Sequence, residues 1–530
     1  MRDNSSKFRD LLYEQNKFTV TWEIVPGRGS YELAQEEAIA AADRAARGGK
    51  VDVIAITDNP GGNPALSAEM LGAEMKRAGA EPMVHFTCKD KSRNQLEALM
   101  YGLERASVYN LLVLTGDYTL TGYLGRSSPV FDMDAVQLLG LVGLMNGGLE
   151  VGTPRGGVMK LAPTHFFAGA AASSFKATEA EQVCQYYKLQ KKLQAGAQFI
   201  IGQVGYDARK HHELLLMMRR LGYGHVPLIG NIYVLSAPAA RAMNQNRVAG
   251  CVVTDDLLSL ITEESKAKDR GKAKRLERAA KMYAYMKGMG YRGVHVGGHG
   301  LKYEEVEAIV DMGEALTPQW QSFIPEFDYP QTNGWYYFQH DAESGLNIET
   351  PVARSGRPAT PFSYRLFRLL HQSMFDTKGL LFRPMRSLAA ALDGSRLEDP
   401  FTRFEHIAKV ITNDCMHCGD CGLPDVAYIC PTSQCPKQQR NGPCGGSYEG
   451  WCEVYPNKRR CIWVKAYQRL KHFGEESSLA DHLVPPVNHD LRRTASWLNF
   501  FTGRDHTAKR LGIEPPKKKE KAGVAGEPAQ

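Results

Sequence analysis

Eight short apolar runs, separated by helix-length amphipathic stretches, constrain the fold of residues 18–300 more than any other feature of the chain. The runs are rich in β-branched residues and read FTVTWEIV, VDVIAIT, PMVHFTC, NLLVLTGD, HFFAGAA, QFIIGQ, VPLIGNIYV and YRGVHVGG. Between them lie stretches such as YELAQEEAIAAADRAARGG, with apolar residues at helical spacing and glycine after the last turn. This alternation predicts a parallel α/β sheet, and eight strands close a (β/α)8 TIM barrel. A doubly wound open sheet is the competing arrangement.

The 530-residue chain is too long for one ordinary hydrophobic core, because cores stop growing near about 250–300 residues. The alternation ends near residue 315, where a stretch rich in Pro, Gly and aromatic residues begins. We therefore predict a barrel over 1–315, an irregular linker over 316–360, a cysteine-rich module over 361–475 and a C-terminal extension over 476–530. The extension ends in PPKKKEKAGVAGEPAQ, which is typical of a solvated, disordered basic tail.

Charge and hydropathy exclude several classes of protein. The net charge of +7 sits partly in the tail, and the remaining positive charge is scattered among acidic residues, whereas nucleic-acid binding requires a basic face with aromatics. The N-terminal stretch lacks the apolar region of a signal peptide, and the longest apolar run, AVQLLGLVGLMNGG, falls short of the roughly 18 residues that span a bilayer. We expect a cytoplasmic protein without membrane insertion. Disulfides are disfavoured there, so clustered cysteines are expected to bind metal.

Polar side chains lie at the predicted strand ends, where barrel enzymes carry their chemistry. They are Glu23, Thr57, His85, Asp117, Gln203, Asn231 and His295. Glu23 follows an apolar run, so we expect burial to raise its pKa and to suit it to donating a proton near neutral pH. From position alone, an ordinary cap or salt bridge is the simpler interpretation of any one of these residues.

Six motifs in this region carry a resemblance to a known family. They read TWEIVPGRG, AITDNPGGNP, VHFTCKD, LLVLTGDY, YYKLQKKLQAGAQFIIGQVGYD and PLIGNIYVLS. In this order and at similar spacing, they resemble the methylenetetrahydrofolate reductase family over roughly residues 15–310. Each motif is weak by itself, whereas six in order are specific. The resemblance implies a flavin-dependent barrel that passes a hydride between flavin N5 and the one-carbon unit of a folate.

The resemblance also implies roles for individual residues. The family acid that protonates the folate corresponds to Glu23, and the family aspartate near the flavin and the pterin corresponds to Asp117. These two are the predicted catalytic residues, and Asp117 is also a predicted flavin contact. Thr57 and His85 match flavin-contacting positions, and Lys192 matches a lysine near the flavin phosphate.

Gln203 matches a folate-contacting glutamine of the family. Elsewhere the chain departs from the family, since the loop GAAASSFKATEAEQ has Ala172 and Lys176 where several members place a tyrosine and a histidine beside the flavin. The flavin is therefore expected either as FAD or as FMN. A long segment, 119–163, lies beside the predicted site and is a candidate for a lid or for excluding NADH.

Eight of the eleven cysteines lie between residues 415 and 461: Cys415, Cys418, Cys421, Cys430, Cys435, Cys444, Cys452 and Cys461. The run CMHCGDC with a following Cys-Pro resembles ferredoxin loops that hold an iron–sulfur cube, whereas zinc usually takes two C-x2-C pairs. Iron–sulfur is therefore favoured over zinc for the first site.

Eight ligands fit two 4Fe–4S clusters, but one cluster with one zinc ion stays open, and the partition between Cys430 and Cys435 is not readable from the sequence. The three isolated cysteines are interpreted as buried structural thiols: Cys88, Cys184 and Cys251.

The cysteine stretch also resembles the C-terminal module of methylenetetrahydrofolate reductases, which is similar to the small partner subunit that acetogens place beside their reductase. The most specific part of the match is CPKQQRNGPCGG followed by WCEV, and the match spans about residues 360–470. This resemblance implies iron–sulfur centres and electron donors other than NADH.

Together these features predict a flavoprotein oxidoreductase of one-carbon metabolism that acts on CH–NH groups and interconverts 5,10-methylenetetrahydrofolate and 5-methyltetrahydrofolate, in a direction left open. Its cysteine module is expected to exchange electrons with a protein such as ferredoxin, or with NAD(P)H, and the chain to form a homo-oligomer. The alternative is a folate-binding methyl-transfer or redox-complex subunit, with a structural zinc module and no flavin chemistry of its own.

Overall fold

The computed structural model describes residues 6–515, and the chain forms two compact units. The first comprises Met1–Pro358 with Cys435–Leu483, and the second comprises Ala359–Gln434 with Val484–Gln530. This division differs from the predicted segments, because it separates Cys430 from Cys435 within the predicted cysteine-rich module. The predicted basic tail lies, apart from its first proline, outside the described residues.

The strands form one barrel and two hairpins. In chain order they are β1 (Thr19–Ile24), β2 (Val53–Ile56), β3 (Pro82–Thr87), β4 (Asn110–Leu114), β5 (Glu150–Gly152), β6 (Val158–Lys160), β7 (Phe167–Ala172), β8 (Ile200–Gly202), β9 (Leu228–Tyr233), β10 (Gly293–Gly297), β11 (Phe338–His340) and β12 (Asn347–Pro351). Eight close into a barrel in the order β1-β10-β9-β8-β7-β4-β3-β2, and all neighbours are parallel. The closed barrel confirms the predicted TIM barrel over an open sheet, and the eight apolar runs form its strands.

The helices of the first unit are α1 (Lys7–Tyr13), α2 (Leu33–Gly48), α3 (Ala68–Arg77), α4 (Arg93–Arg105), α5 (Ala135–Asn146), α6 (Glu179–Gln194), α7 (Ala208–Arg220), α8 (Ala237–Asn244), α9 (Asp255–Glu264), α10 (Lys272–Met289) and α11 (Tyr303–Leu316), with α16 (Ile462–Lys471) after the later cysteines. The second unit contains α12 (Phe362–Met374), α13 (Phe382–Leu392), α14 (Glu398–Asn413), α15 (Pro431–Gln434), α17 (Ser496–Phe501) and α18 (His506–Arg510). Within residues 6–515, no helix is long and apolar enough to cross a membrane.

The barrel is closed at its N-terminal end by α1. Phe8 packs in the core cluster inside the barrel, with ring centroids 5.7 Å from Phe167 and 5.2 Å from Phe199. Ser6 Oγ donates to Asn110 Oδ1 at 2.6 Å, and Asn110 is the first residue of β4. Because the N-terminal end is filled by apolar side chains, polar chemistry is confined to the opposite, C-terminal rim.

The long segment 119–163 is more ordered than a loop, since it contains α5 and the β5–β6 hairpin. Asp134 begins α5 by accepting hydrogen bonds from Val136 N and Gln137 N, and Gln137 completes the capping box. The predicted linker contains the β11–β12 hairpin, which packs on α7: Arg209 Nε donates to Asn347 Oδ1 at 2.7 Å.

The second unit is a small helical domain around an aromatic core. Phe501 is buried, and its ring lies 5.3 Å from Phe375 and 5.6 Å from Phe382. A cavity of about 290 Å³ lies between α12, α14 and α17, with Trp497 and Cys421 among its lining residues. This unit therefore has its own packed core, separate from that of the barrel.

Candidate active site

The predicted rim residues lie at the C-terminal ends of the barrel strands. Glu23, His85 and His295 belong to β1, β3 and β10, and Thr57, Asp117 and Gln203 follow β2, β4 and β8. Asn231 lies in β9 and pairs in register with His295. The parallel, closed strand order thus brings to one rim residues that the sequence separates by more than 250 positions.

His295 lies between two partners on β1. Its Nδ1 is 2.8 Å from Thr21 Oγ1, and its Nε2 is 3.4 Å from Glu23 Oε2. When Thr21 donates to Nδ1, the ring proton is on Nε2 and faces the carboxylate. Thr21 and His295 are buried, whereas the Glu23 side chain is 24% exposed. Glu23 is therefore the member of this chain of hydrogen bonds that a ligand at the rim can reach.

His85 completes a cluster with Glu23 and His295, whose ligand atoms all lie within 4.8 Å of one another. Burial lowers the pKa of His85 to about 4, so its ring is neutral at neutral pH. Two histidines and one carboxylate are also a ligand set that divalent metals accept.

The pKa of Glu23 is lowered, and the prediction of a raised pKa was wrong. Burial by itself raises the pKa of Glu23. The hydrogen bond from His295 and the electrostatic interactions with His295 and His85 together lower that pKa by more. The prediction considered only the apolar strand around Glu23. His295 is distant in sequence, and strand pairing alone brings it to the carboxylate. Glu23 is consequently ionised at neutral pH.

Asp117 and Lys192 lie outside this cluster. The Asp117 side chain is exposed, and its Oδ2 accepts a hydrogen bond from Gly61 N at 2.8 Å. Lys192 Nζ donates to Ala171 O at 2.6 Å. Burial, and the neighbouring charge of Lys188, lower the pKa of Lys192 to about 7. Lys192 is therefore a lysine whose charge is marginal at neutral pH.

Gln203 lies beside a cysteine that the sequence analysis set aside. Its Oε1 accepts a hydrogen bond from Val204 N at 2.9 Å and is 3.9 Å from Cys251 Sγ. Burial is the main cause that raises the pKa of Cys251 to about 12, and the charges of Glu23 and Asp117 contribute to this rise. Cys251 thus belongs to the rim. Its sequence context, VAGCVV, carries no signal for this position, because only the fold brings it there.

The first cysteine set lies in the second unit. Cys415, Cys418, Cys421 and Cys430 line one cavity of about 30 Å³. Lys409 Nζ is 3.8 Å from Cys421 Sγ, and His417 N donates to Cys415 Sγ at 3.4 Å. Burial, with the neighbouring sulfurs of Cys418 and Cys430, raises the pKa of Cys421 to about 12 despite Lys409. Such thiols become thiolates when a cation compensates their charge.

The second cysteine set lies in the first unit, with the barrel. It contains Cys435, Cys444, Cys452 and Cys461. Burial and neighbouring sulfurs raise the pKa of Cys435 to about 11 and that of Cys444 to about 12. The structure therefore groups the eight cysteines four and four, with the division between Cys430 and Cys435.

Backbone and side chains of 437–442 anchor the second set to the barrel. Gln439 Oε1 accepts from Thr115 Oγ1 at 3.0 Å and from Lys188 Nζ at 2.8 Å. Asp134, which begins α5, accepts from Arg440 N at 3.1 Å and from Asn441 N at 2.9 Å. These buried contacts hold the segment against the barrel next to the C-terminal end of β4.

Comparison with protein families identifies the barrel. The model of the family described as methylenetetrahydrofolate reductase matches residues 7–310, more than half of the chain. The chain belongs to the methylenetetrahydrofolate reductase family. It is accordingly a methylenetetrahydrofolate reductase-like oxidoreductase. A second family model, described as the C terminal of methylene-tetrahydrofolate reductase, matches residues 395–490. Both resemblances drawn from the sequence motifs are confirmed.

Other comparisons give weaker likenesses. No curated protein sequence matches the chain. An uncharacterized protein from Clostridium thermocellum that binds two copies of 5-methyl-5,6,7,8-tetrahydrofolic acid superposes with a TM-score of 0.41 at 12% identity, covering 59% of this chain and 100% of that chain. A dihydropteroate synthase from Coxiella burnetii, solved with pteroic acid, gives a TM-score of 0.32 at 13% identity, covering 58% and 95%.

Two orphaned polar atoms test whether this reductase barrel fits a flavin. Thr57 Oγ1 and His85 Nε2 are buried, and neither has a hydrogen-bond partner in the part of the chain that the structure describes. Buried polar atoms are normally paired, so each is suited to a group that the protein itself does not supply. Both residues are predicted flavin contacts, and an unpaired polar atom at each is what a contact with the family's cofactor requires.

The reductase's departure at Lys176 has a structural reason. Lys176 is buried, and its Nζ donates to Ser447 O at 2.6 Å and also to Gly445 O. The lysine thus holds the backbone that follows Cys444, at a position where the sequence departs from the predicted family pattern.

Proposed function

We propose that the chain is a flavin-dependent oxidoreductase that interconverts 5,10-methylenetetrahydrofolate and 5-methyltetrahydrofolate, and that its two cysteine sets hold 4Fe–4S clusters that exchange electrons. The observation that carries the proposal is the Glu23–His295 pair beside the unpartnered Thr57 and His85, on the rim of a barrel of this family. The pair provides proton chemistry, and the unpartnered atoms provide cofactor binding.

Thr57 and His85 would hold the flavin, and Lys192 its phosphate. The bound flavin, as FAD or FMN, supplies hydride exchange with the one-carbon unit of the folate. A neutral His85 suits this role, because its Nε2 can donate to or accept from a ring heteroatom without adding a charge.

Glu23 would move the proton. When 5-methyltetrahydrofolate is oxidised, the methyl carbon loses a hydride and N10 loses a proton as the five-membered ring closes. An ionised Glu23 can accept that proton on Oε2 or Oε1. Before the proton arrives, His295 Nε2 stabilises the carboxylate. In the reductive direction the same group, once protonated, returns the proton to N10 as the ring opens.

Asp117 and Gln203 would orient the folate. Asp117 is exposed at the rim with one carboxylate oxygen bound to Gly61 N, which leaves the other for a pterin or flavin N–H. Gln203 has its Oε1 engaged by Val204 N, which orients its amide group for the substrate.

The spacing of the first cysteine set along the chain supports a cluster over a single zinc ion. The run CMHCGDC with a following Cys-Pro resembles loops that hold an iron–sulfur cube, whereas zinc usually takes two C-x2-C pairs. The second set supplies the four cysteines that a second cluster needs. The electron partner would be a protein such as ferredoxin, or NAD(P)H.

Cofactor analysis of the anaerobically purified full chain tests this proposal. We expect flavin near one per chain by absorption after denaturation, and iron and sulfide in amounts that fit two clusters. We also expect dye-linked oxidation of 5-methyltetrahydrofolate. A colourless protein that contains zinc alone and binds folate without turnover would overturn the proposal in favour of a folate-binding methyl-transfer subunit.

A further inference from the structure

We propose that the second cysteine set forms a wall of the folate pocket, so that metal or cluster binding at this set controls the position of Gln203 and thereby the affinity for folate. The identity of the ligand rests on the proposed function. The coupling itself rests on contacts between the cysteine segment and the rim.

The segment that follows Cys435 is held to the rim at several buried points. Lys437 Nζ donates to Gly116 O at 2.8 Å and forms an ion pair with Glu453. Lys188 Nζ, which is 2% exposed on α6, donates to Gly442 O at 3.2 Å. Because these polar atoms are buried, displacing the segment would leave them unpaired, at a cost of about 1–3 kcal/mol each. The segment is therefore a fixed part of the barrel end.

The same segment meets Gln203 at Gly250. A Cβ atom on Gly250 would lie 3.1 Å from Gly445 O and 3.2 Å from Gln203 Nε2. Both distances are shorter than an ordinary van der Waals contact, so any side chain at Gly250 would press on Gly445 O and on Gln203 Nε2 at once. Cys251, the next residue, has its Sγ 3.9 Å from Gln203 Oε1.

Cys444 is the neighbour of Gly445 in the chain, so a metal-bound thiolate at Cys444 would constrain the backbone that lies near Gly250 and Gln203. Lys176 holds the carbonyl groups of Gly445 and Ser447 from the barrel side. Loss of the ion or cluster would release the Cys444 thiolate and leave the neighbouring Gly445 backbone held by Lys176 alone. We expect the packing of Gly445 near Gly250 and Gln203 to loosen as a result.

Two glycine variants of the full chain separate this contact from backbone strain. Gly250 has φ +80° and Gly222 has φ +82°, so alanine at either position meets the same conformational penalty, but nothing lies within 4 Å of a Cβ on Gly222. We expect Gly250→Ala to weaken equilibrium binding of 5-methyltetrahydrofolate by roughly tenfold or more, and Gly222→Ala to lower thermal stability alone. Equal folate affinity in the two variants would overturn the proposal.

Hydrogen exchange tests the coupling without folate. We expect Cys444→Ser, or wild-type protein stripped of metal by a chelator, to lose amide protection in peptides over 200–207 and 246–253, while peptides of β2 keep theirs. Unchanged protection around Gln203 after metal loss would overturn the proposal, and the chelated wild type decides the matter if Cys444→Ser fails to fold.

Folate binding and hydrogen exchange, measured separately, also distinguish this proposal from the proposed function. If wild-type protein does not bind 5-methyltetrahydrofolate, the proposed function fails, but hydrogen exchange still reports whether the second cysteine set positions Gln203. If folate binds and exchange around Gln203 ignores the metal, only the coupling fails.

Discussion

His295 Nε2 lies 3.4 Å from Glu23 Oε2, across 272 residues of sequence, because β10 and β1 are the strands that close the barrel. The same imidazole is fixed from behind by Thr21 Oγ1. This pairing lowers the pKa of the carboxyl group, and an ionised Glu23 is the state that the proposed proton transfer requires.

Replacing Glu23 by Gln should remove the proton acceptor while leaving the side-chain shape. We expect turnover of 5-methyltetrahydrofolate to fall by about 10²–10⁴-fold, the usual contribution of a positioned acid or base. Flavin content should persist, because Thr57 and His85 remain. Rapid-mixing kinetics and flavin absorption measure the two effects. Parallel loss of flavin and turnover would contradict the role given to Glu23.

Replacing His295 by Gln should change the pH dependence. The variant loses the interaction that lowers the pKa of Glu23, and burial, which raises it, remains. We expect the acid limb of the kcat/KM profile for methyl-folate oxidation to move to higher pH. His299→Gln, at an exposed position two residues after β10, is the matched control. An unmoved acid limb in His295→Gln would show that Glu23 is not the titrating group.

The two cysteine sets should lose metal independently. Cys418 and Cys444 belong to different compact units, so Cys418→Ser and Cys444→Ser should each lower iron content by about half, and the double variant should lose almost all of it. Iron analysis and low-temperature EPR of the reduced proteins measure this. Complete iron loss in either single variant would show that the eight cysteines form one cooperative site.

Lys192 should make flavin binding depend on pH. Its pKa is lowered to about 7, so its positive charge, which would attract a flavin phosphate, is lost as the pH rises through and above 7. We expect flavin affinity to fall over that range, and Lys192→Met to weaken binding by about 1.5–3 kcal/mol and to flatten the pH dependence. Lys266→Met, at an exposed position, is the control for fluorescence titration. Wild-type-like affinity in Lys192→Met would contradict the phosphate contact.

Acid should destabilise the barrel through buried neutral histidines. Burial lowers the pKa of His211 to about 3, from 6.5. Below pH 6.5 the unfolded chain binds a proton at His211 that the folded protein does not, so the free energy of unfolding falls as the pH drops toward 3. Between pH 7.5 and 5.5 this loss is about 1.4 kcal/mol. His211→Gln should reduce this loss in denaturant titrations at the two pH values, whereas His340→Gln, at an exposed position, should not. Identical slopes in all three proteins would contradict the assignment.

The sequence was sufficient for the barrel and for its family. Runs such as VDVIAIT and PMVHFTC are apolar on both faces, and a parallel strand covered by helices needs that pattern, so local chemistry alone predicts the strands. Position at a strand end likewise placed Glu23 and His85 on one rim, because all parallel strands end on the same side.

Only the tertiary structure decided the state of Glu23 and the grouping of the cysteines. The pKa of Glu23 depends on His295, a neighbour created by barrel closure and invisible to any local pattern. Cys435 follows Cys430 by five residues, yet it packs with the barrel because Asp134 and Lys188 bind the backbone that comes after it. Sequence spacing records which residues are close along the chain. Pairing of strands and burial of polar backbone determine which are close in space, and both the ionised state of Glu23 and the division of the cysteines follow from that closeness in space.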